Sequence, residues 1–451
     1  MIDGLRPYAE MKASGLPWLG DVPGHWDVRR IKTLLREVDN RTKTGEERLL
    51  SLRMRQGLVD HIDAGGKLIP AESLVNFKII EPGQVVMNRM RAAAGLFGVA
   101  NVRGLVSPDY AVFEPMPEAF NPYLIQAFRL PSLSAVFRAE SKGLGTGESG
   151  FLRLYTDRFG PIPVPYPPLD EQRLIVRLLD WHGGQTAKLI RAKKKIIALL
   201  NEQRQAIIHR AVTRGLDPNA KLKPSGISWL GDVPQGWEVK RLKWAMRLQR
   251  GFDLPADKRS VGPHPVVSSG GIIDHHIEYK VEGPGVVMGR YGSTDAVFYI
   301  EDNFWPHNTS LFVTDFRGND RWWCFYVLRT ISKQDHSSKA AVPGVDRKDL
   351  FDIVLAVPSP SEQVDIVRAI EEHSRELNQA ITSVSLEIRY IQEFRTRLIA
   401  DVVTGKLDVR AAAASLPEIT ELKAPDILDD DLPEDNLDEA IGDAEDEEVA
   451  A

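Results

Sequence analysis

Apolar residues fall along this chain in two kinds of pattern. From Ile366 to Val402 they recur at mostly three- and four-residue steps, through Ile370, Leu377, Ile381, Val384, Ile388, Ile391 and Leu398, with His373 in the same series. That spacing predicts a coiled-coil strand or a long amphipathic helix. Ile175, Leu179, His182, Leu189, Ile197, Leu200, Ile207 and Ala211 follow a similar, less regular stripe. Each helix of about 40 residues would be about 60 Å long. One apolar stripe needs a partner, and the nearest is the other helix, packed antiparallel. The pair Gly183-Gly184 is expected to kink or soften the first helix near its start. Residues 33–166 and 244–357 read differently. Short β-branched runs broken by Gly and Pro predict short strands joined by turns, with a few helices between them.

The chain is a duplication. Ser14 to Lys32 (SGLPWLGDVPGHWDVRRIK) and Ser225 to Lys243 (SGISWLGDVPQGWEVKRLK) are identical at twelve of nineteen positions, at an offset of 211. Pro167 to Arg177 (PPLDEQRLIVR) and Pro358 to Arg368 (PSPSEQVDIVR) match at an offset of 191. This second register persists to Val212-Thr213 and Val403-Thr404, and to Leu216-Asp217 and Leu407-Asp408. The first middle segment is therefore 20 residues longer than the second. Each half reads as an opening motif, a divergent middle and a long segment of fixed length. One strand is shared by the middles: Val85-Val86-Met87-Asn88-Arg89 and Val286-Val287-Met288-Gly289-Arg290.

Length and composition, 451 residues with 43% hydrophobic and 27% charged, fit an ordinary globular chain of several domains. No apolar run reaches transmembrane length. The first residues, MIDGLRPYAEMKAS, have no secretory-signal pattern. The single cysteine, Cys324, excludes an internal disulfide and a cysteine-clustered metal site, which points to a reducing cytoplasm. The net charge of -6 hides an asymmetry. Residues 411–451 hold fifteen acids against Lys423, a net of -14, and residues 1–410 are net +8. The tail is too polar to bury a core and is expected to be disordered. A mildly basic body suits a polyanionic partner.

The opening motif GxxWLGDVPxxWxVxRxK, present twice, the stretch SKGLGTGESGFLRLYTDRFGPIPVPYPPLDEQ and the phrase QRGFDLPADKR resemble the specificity subunit of type I restriction-modification systems. The resemblance covers residues 10–410 and excludes the acidic tail. It implies an α+β fold with internal pseudo-twofold duplication. Two mixed α/β target recognition domains would be joined by two long antiparallel helices forming a coiled coil. The expected divisions are 1–166 (motif and first recognition domain), 167–223 (first helix), 224–357 (motif and second domain), 358–410 (second helix) and 411–451 (tail). The resemblance also implies a non-catalytic reader of bipartite double-stranded DNA. Its partners would be two adenine methyltransferase subunits and, in the restriction complex, two endonuclease-translocase subunits. S-adenosylmethionine, ATP and magnesium would be used by those partners, with no cofactor, metal or membrane contact in this chain.

Reading DNA needs Arg, Lys, Asn or Gln at base edges and further cations at phosphates. The candidates in the first domain are Arg53, Arg55, Asn88, Arg89, Arg91 and Lys142. In the second they are Arg250, Lys258, Arg259, Arg290, Tyr291, His307, Asn308 and Lys339. Arg89 and Arg290 lead because they hold equivalent places. For each, an ordinary surface charge or structural ion pair is the competing reading. Trp18, Trp26, Trp229 and Trp237 are expected to anchor the motif in a core or at a partner subunit.

Other features read as structure. The Gly-rich SKGLGTGESG lacks phosphate-loop spacing. Asn121-Pro122-Tyr123 misses one proline of the methyltransferase NPPY motif and is expected to start a helix. Glu278-Tyr279-Lys280 lacks the upstream acid of a nuclease site, and His264, His275 and His276 lack a metal-binding frame. His182 and His373 are expected to form a polar layer in the helix seams. The enzyme alternative, a stand-alone nuclease or methyltransferase, rests on two of these fragments, neither of which occurs in both halves.

Overall fold

The computed structural model describes residues 5–54, 56–144, 151–290, 296–331 and 347–417. The chain forms two compact units: Met1–Ala192 with Glu387–Ala451, and Lys193–Leu386. Each unit therefore combines one globular region with parts of both long helices.

The first unit is built on four antiparallel strands, β1 (Leu35–Val38), β2 (Val85–Asn88), β3 (Phe97–Val99) and β4 (Tyr110–Pro115), in the order β1-β4-β2-β3. The second repeats this with β5 (Arg247–Arg250), β6 (Gly285–Gly289), β7 (Val297–Ile300) and β8 (Ser310–Asp315), in the order β5-β8-β6-β7. The expected common strand is β2 in one unit and β6 in the other. Alternation along these strands divides each sheet into two faces. Val85, Met87, Ala111 and Phe113 join the core that also contains both long helices, and Val86 and Val112 join a separate outer core. In the second unit Val286, Met288, Leu311 and Val313 face the helices, and Val287 and Phe312 face outward.

Among the helices are α1 (Asn121–Phe128), α2 (Leu169–Arg214), α3 (Arg321–Ile331) and α4 (Pro360–Val403). In the first unit the start of α2 (Ile175, Leu178, Leu179) shares a core with the end of α4 (Leu398, Val402, Val403). In the second unit the end of α2 (Ile208, Ala211, Val212) shares a core with the start of α4 (Ile366, Val367, Ile370). Start meets end both times, so the two helices are antiparallel, as the stripes predict. Helix α2 runs through Gly183-Gly184 without interruption. The polar-layer expectation fails for His373, which is exposed and bonds the Ala369 carbonyl oxygen at 2.7 Å. His182 does sit half-buried beside Phe394, at 5.8 Å between ring centroids, and burial lowers its pKa. Leu189, also placed on a seam by its spacing, is exposed.

The two opening motifs close the frame. Each begins with a hairpin, Met11–Ala13 with Asp21–Pro23 and Leu222–Pro224 with Asp232–Pro234. Each continues into a strand that pairs with the end of its own middle segment: Asp27–Arg30 with Pro163–Tyr166, and Glu238–Arg241 with Val354–Val357. A middle segment thus leaves and rejoins the frame at one strand pair, which is how two middles of different length fit the same scaffold. Trp26 and Trp237 are buried, and Trp18 and Trp229 are half-buried.

The repeated Glu-Gln of the second match has a visible purpose. Glu171, buried in the first turn of α2, accepts hydrogen bonds from the Tyr8 hydroxyl and from His25 Nε2 at 2.8 Å. Its counterpart Glu362 accepts the Trp237 indole N–H at 2.9 Å. A carboxylate at a helix N-terminus also meets the positive end of the helix dipole. Gln172 and Gln363 are fully buried and donate to the Pro167 and Pro358 carbonyl oxygens at 2.8 and 3.0 Å.

Candidate DNA-recognition surface

In the first unit, candidates gather where β2 ends and β4 begins. Asn88 is buried, and its Oδ1 accepts the backbone N–H groups of Met90 and Arg91 at 3.0 and 3.1 Å. It shapes the turn instead of projecting from it. Arg89 follows, with Nη2 at 2.7 Å from Glu37 Oε1 on β1, and its carbonyl oxygen accepts the Leu154 N–H at 2.9 Å. Arg91 is exposed on the turn. Lys142 is exposed on a hairpin, Lys142–Leu144 with Phe151–Arg153, where it pairs with Arg153. Arg153 holds Asp109 at 2.9 Å, next to the start of β4. Arg89, Arg91, Lys142 and Arg153 therefore converge. Arg53 stands on another hairpin, Leu50–Arg53 with Gly57–Asp60, and donates to the Ala64 carbonyl oxygen at 2.8 Å. Arg55 lies outside the described residues, as does most of the Gly-rich loop.

In the second unit the segment after β5 is laid against the segment before β8. Gly251 N–H donates to Ser310 O at 3.0 Å, and Phe252 N–H to Pro306 O at 2.8 Å. A side chain at Gly251 would sit 2.1 Å from the His307 carbonyl oxygen, so the approach requires glycine. This pairing assembles the candidates. Arg250 Nε donates to the Asn308 carbonyl oxygen at 3.2 Å, and Asn308 Nδ2 bonds the Asp253 carboxylate. Arg259 donates to Leu254 O at 3.4 Å and lies 3.5 Å from Asp274. His307 Nδ1 sits 3.2 Å from Thr309 Oγ1, and burial followed by the nearby Arg259 charge lowers its pKa. Arg290 donates its backbone N–H to Thr309 O at 3.0 Å. Lys258 is exposed on the turn Ala256–Lys258. Tyr291 and Lys339 lie outside the described residues.

Several groups of the enzyme-like fragments are engaged in structure, whereas Glu278 is exposed. Asn121 Nδ2 donates to the Gly83 carbonyl oxygen at 2.6 Å. Tyr123 is buried, with its hydroxyl 3.2 Å from the carbonyl oxygens of Pro165 and Val403. Lys280 Nζ lies 4.6 Å from the centroid of the Trp305 ring. His276 is buried, and its Nδ1 accepts the Ser260 N–H at 2.9 Å. Cys324 is buried, and desolvation raises its pKa, which keeps the thiol protonated and unreactive.

The sequence pattern did not single out Glu37, Asp109 or Arg153. Arg153 had a usable signal, since it stands beside the Gly-rich stretch and repeats the Arg-near-turn pattern of Arg91. Glu37 and Asp109 had none, because their roles appear only when three strands are placed side by side.

No family model matches the chain. Two proteins of Methanocaldococcus jannaschii are similar to it. One, the type I restriction enzyme MjaVIII specificity subunit, is 22% identical over 327 residues, covering 64% of this chain and 70% of that protein. The other carries the name of a type I restriction enzyme MjaX specificity subunit. It is 21% identical over 427 residues, covering 87% of this chain and 96% of that protein. Among solved structures, a chain from work on complex assembly and conformational transition of the type I R-M system shares the fold with a TM-score of 0.64. That likeness is at 15% identity and covers 85% of this chain and 99% of the other. In sequence over most of its length this chain is similar to specificity subunits of type I restriction enzymes, and in fold to a chain of a type I R-M system.

Proposed function

We propose that the chain is the DNA-reading subunit of a type I restriction-modification complex. The observation that carries this reading is the repeated sheet, which ends in a different group of polar and charged side chains in each unit. One frame holding two unlike readers suits a target of two unlike half-sites. Each half-site would be read by one globular region, within 33–166 and 244–357. The long helices would separate the readers by a fixed distance, which a duplex demands because equivalent groove positions recur about every 34 Å. Base contacts then set identity and phosphate contacts set register.

Chemistry belongs to partners in this reading. Two methyltransferase subunits would modify adenine with S-adenosylmethionine, and two endonuclease-translocase subunits would use ATP and magnesium, all in the cytoplasm. No helix among the described residues is long and apolar enough to cross a membrane. The test is co-production with the neighbouring methyltransferase subunit, followed by single-molecule sequencing for modified adenines. A split motif with a fixed gap, absent without this chain, is the expected result. Adenine methylation by the purified chain alone, or an unbroken motif, would overturn the proposal.

The acidic tail gives a second prediction. Its first residues, expected to be disordered with the rest of 411–451, are instead part of the fold: Ala412 and Ala413 are buried, and Arg177 donates to the Leu416 carbonyl oxygen at 2.7 Å, while 418–451 lie outside the described residues. A cut at Ala411 would therefore damage the core, and the informative truncation removes 418–451. A tethered polyanion competes with DNA for basic side chains. The truncated chain should bind non-specific DNA several-fold more tightly at low salt, with the difference shrinking as salt rises. Identical affinities across a salt series would exclude the competition.

A further inference from the structure

We infer that Glu37 is a positioning residue for DNA reading in the first unit: it fixes Arg89 so that guanidinium Nη1 donates to an acceptor on a base edge. This inference rests on the DNA-reading function proposed above.

Arg89 is held from both ends. Its backbone lies in the turn capped by Asn88 and accepts the Leu154 N–H. In its side chain, Nη2 bonds Glu37 at 2.7 Å. Among the described residues, Nε is buried without a partner and Nη1 makes no hydrogen bond. The side chain is one-fifth exposed, with 19% of its surface accessible. A rotamer-rich side chain held in this way has lost most of its freedom before any ligand arrives, which lowers the entropic cost of one directed bond.

Charge decides what kind of acceptor fits. A phosphate contact works best with an uncompensated cation and tolerates a mobile one, because it is a point-charge interaction released against counterions. Arg89 is neither. Glu37 offsets its charge, and a carboxylate beside a phosphate would be repelled. Several nearby cations are also compensated: Asp39 pairs with Arg41 at 2.9 Å and lies 3.9 Å from buried Lys78, and Asp109 pairs with Arg153. The exposed Arg91 and Lys142, without an ion pair among the described residues, are the cations suited to phosphate. A neutral acceptor loses nothing to this compensation and gains from a fixed donor. Guanine O6 and N7 are the base-edge acceptors that arginine meets most often.

The device belongs to one unit. Glu37 lies opposite Phe113, and the matching register places Leu248 opposite Val313 in the second sheet. Leu248 is buried in the core, so no carboxylate stands at that position.

The experiment compares wild type, Glu37→Gln and Glu37→Asp, each co-produced with the cognate methyltransferase subunit. Modified adenines are mapped, non-specific DNA affinity is measured against salt, and melting temperature reports folding. For Glu37→Gln, discrimination should fall roughly 10-fold or more at a single base pair of one half-site, the scale of one good base contact. The other half-site should stay unchanged. Non-specific affinity should rise and its salt slope should steepen by about one charge, because Arg89 is no longer offset. Glu37→Asp keeps the charge but withdraws it by one methylene, so it should relax the same base pair less. It carries the test if Glu37→Gln fails to fold. An unchanged motif in a folded variant, whether methylation falls uniformly or not at all, would mean a structural or phosphate role and overturn the inference. If wild type itself gives no split motif, the function proposed above fails first and takes this inference with it.

Discussion

Replacing Trp26 with alanine should lower the stability of the chain by ~3–5 kcal/mol, the usual range for truncating a buried tryptophan. Trp26 has no exposed surface and lies in the core that joins the opening motif to Ile175 and Leu178 of α2 and to Val402 and Val403 of α4. One cavity there loosens three elements that are far apart in sequence. Trp237 holds the equivalent place among Ile208, Val212, Ile366 and Ile370, and its indole N–H also bonds Glu362. Trp237→Ala should therefore cost at least as much. Trp18 and Trp229 are half-buried, and their alanine variants should cost less. Thermal and urea unfolding followed together would check the order. A loss below about 1 kcal/mol for Trp26→Ala, well under the usual range, would show that this core does not hold the helix ends.

The second large effect is expected at Gly405, just past the end of α4. Its φ is +80°, and an added Cβ would lie 2.3 Å from Pro23 Cδ and 2.9 Å from Trp26 Cζ3. The left-handed conformation alone costs a side chain about 1–2 kcal/mol. Overpacking adds typically about 1–3 kcal/mol, and a proline ring cannot swing aside. Gly405→Ala should thus destabilise by roughly 2–5 kcal/mol. Gly184→Ala is the matched contrast, because Gly184 lies inside α2 and an added Cβ there would meet no described atom within 4 Å. That variant should gain up to ~1 kcal/mol from helix propensity. Equal effects of the two substitutions would remove the steric argument.

Much of this architecture is legible in the sequence, for identifiable reasons. The two opening motifs and the Glu-Gln pair are short-range patterns, and the structure shows them fixing short-range contacts. The strand Val85–Asn88 and its counterpart are apolar on both faces because each face meets a core. The helix seams are legible only in part. A three- and four-residue spacing drifts around a straight helix by about 20° per heptad relative to a strict 3.5 repeat. Moreover, each helix packs on a globular region at its ends. His373 and Leu189 fit the spacing and yet are exposed.

The candidate surface is harder to read from sequence. Arg89 and Arg290 are recognisable as equivalent, but nothing local marks Glu37, which is 52 residues from the arginine it holds. Asn88 is chemically suited to adenine, and only the structure shows its amide oxygen committed to a turn. The cluster around His307 depends on a close backbone approach at Gly251, which a single glycine in a sequence does not announce.

The two-faced sheets have a consequence for how such a chain can change. Among the described residues, the outer cores around Val86 and Val287 contain none from either long helix, whereas the inner cores do. Substitutions confined to the outer side of a sheet, or to the loops beyond it, leave the inner packing and its strand-pair closure untouched. Under the proposed function, a new half-site preference would then arise in one unit with the scaffold unchanged wherever its contacts lie on the outer face or the loops, novelty being sheltered from stability by one layer of β-strands.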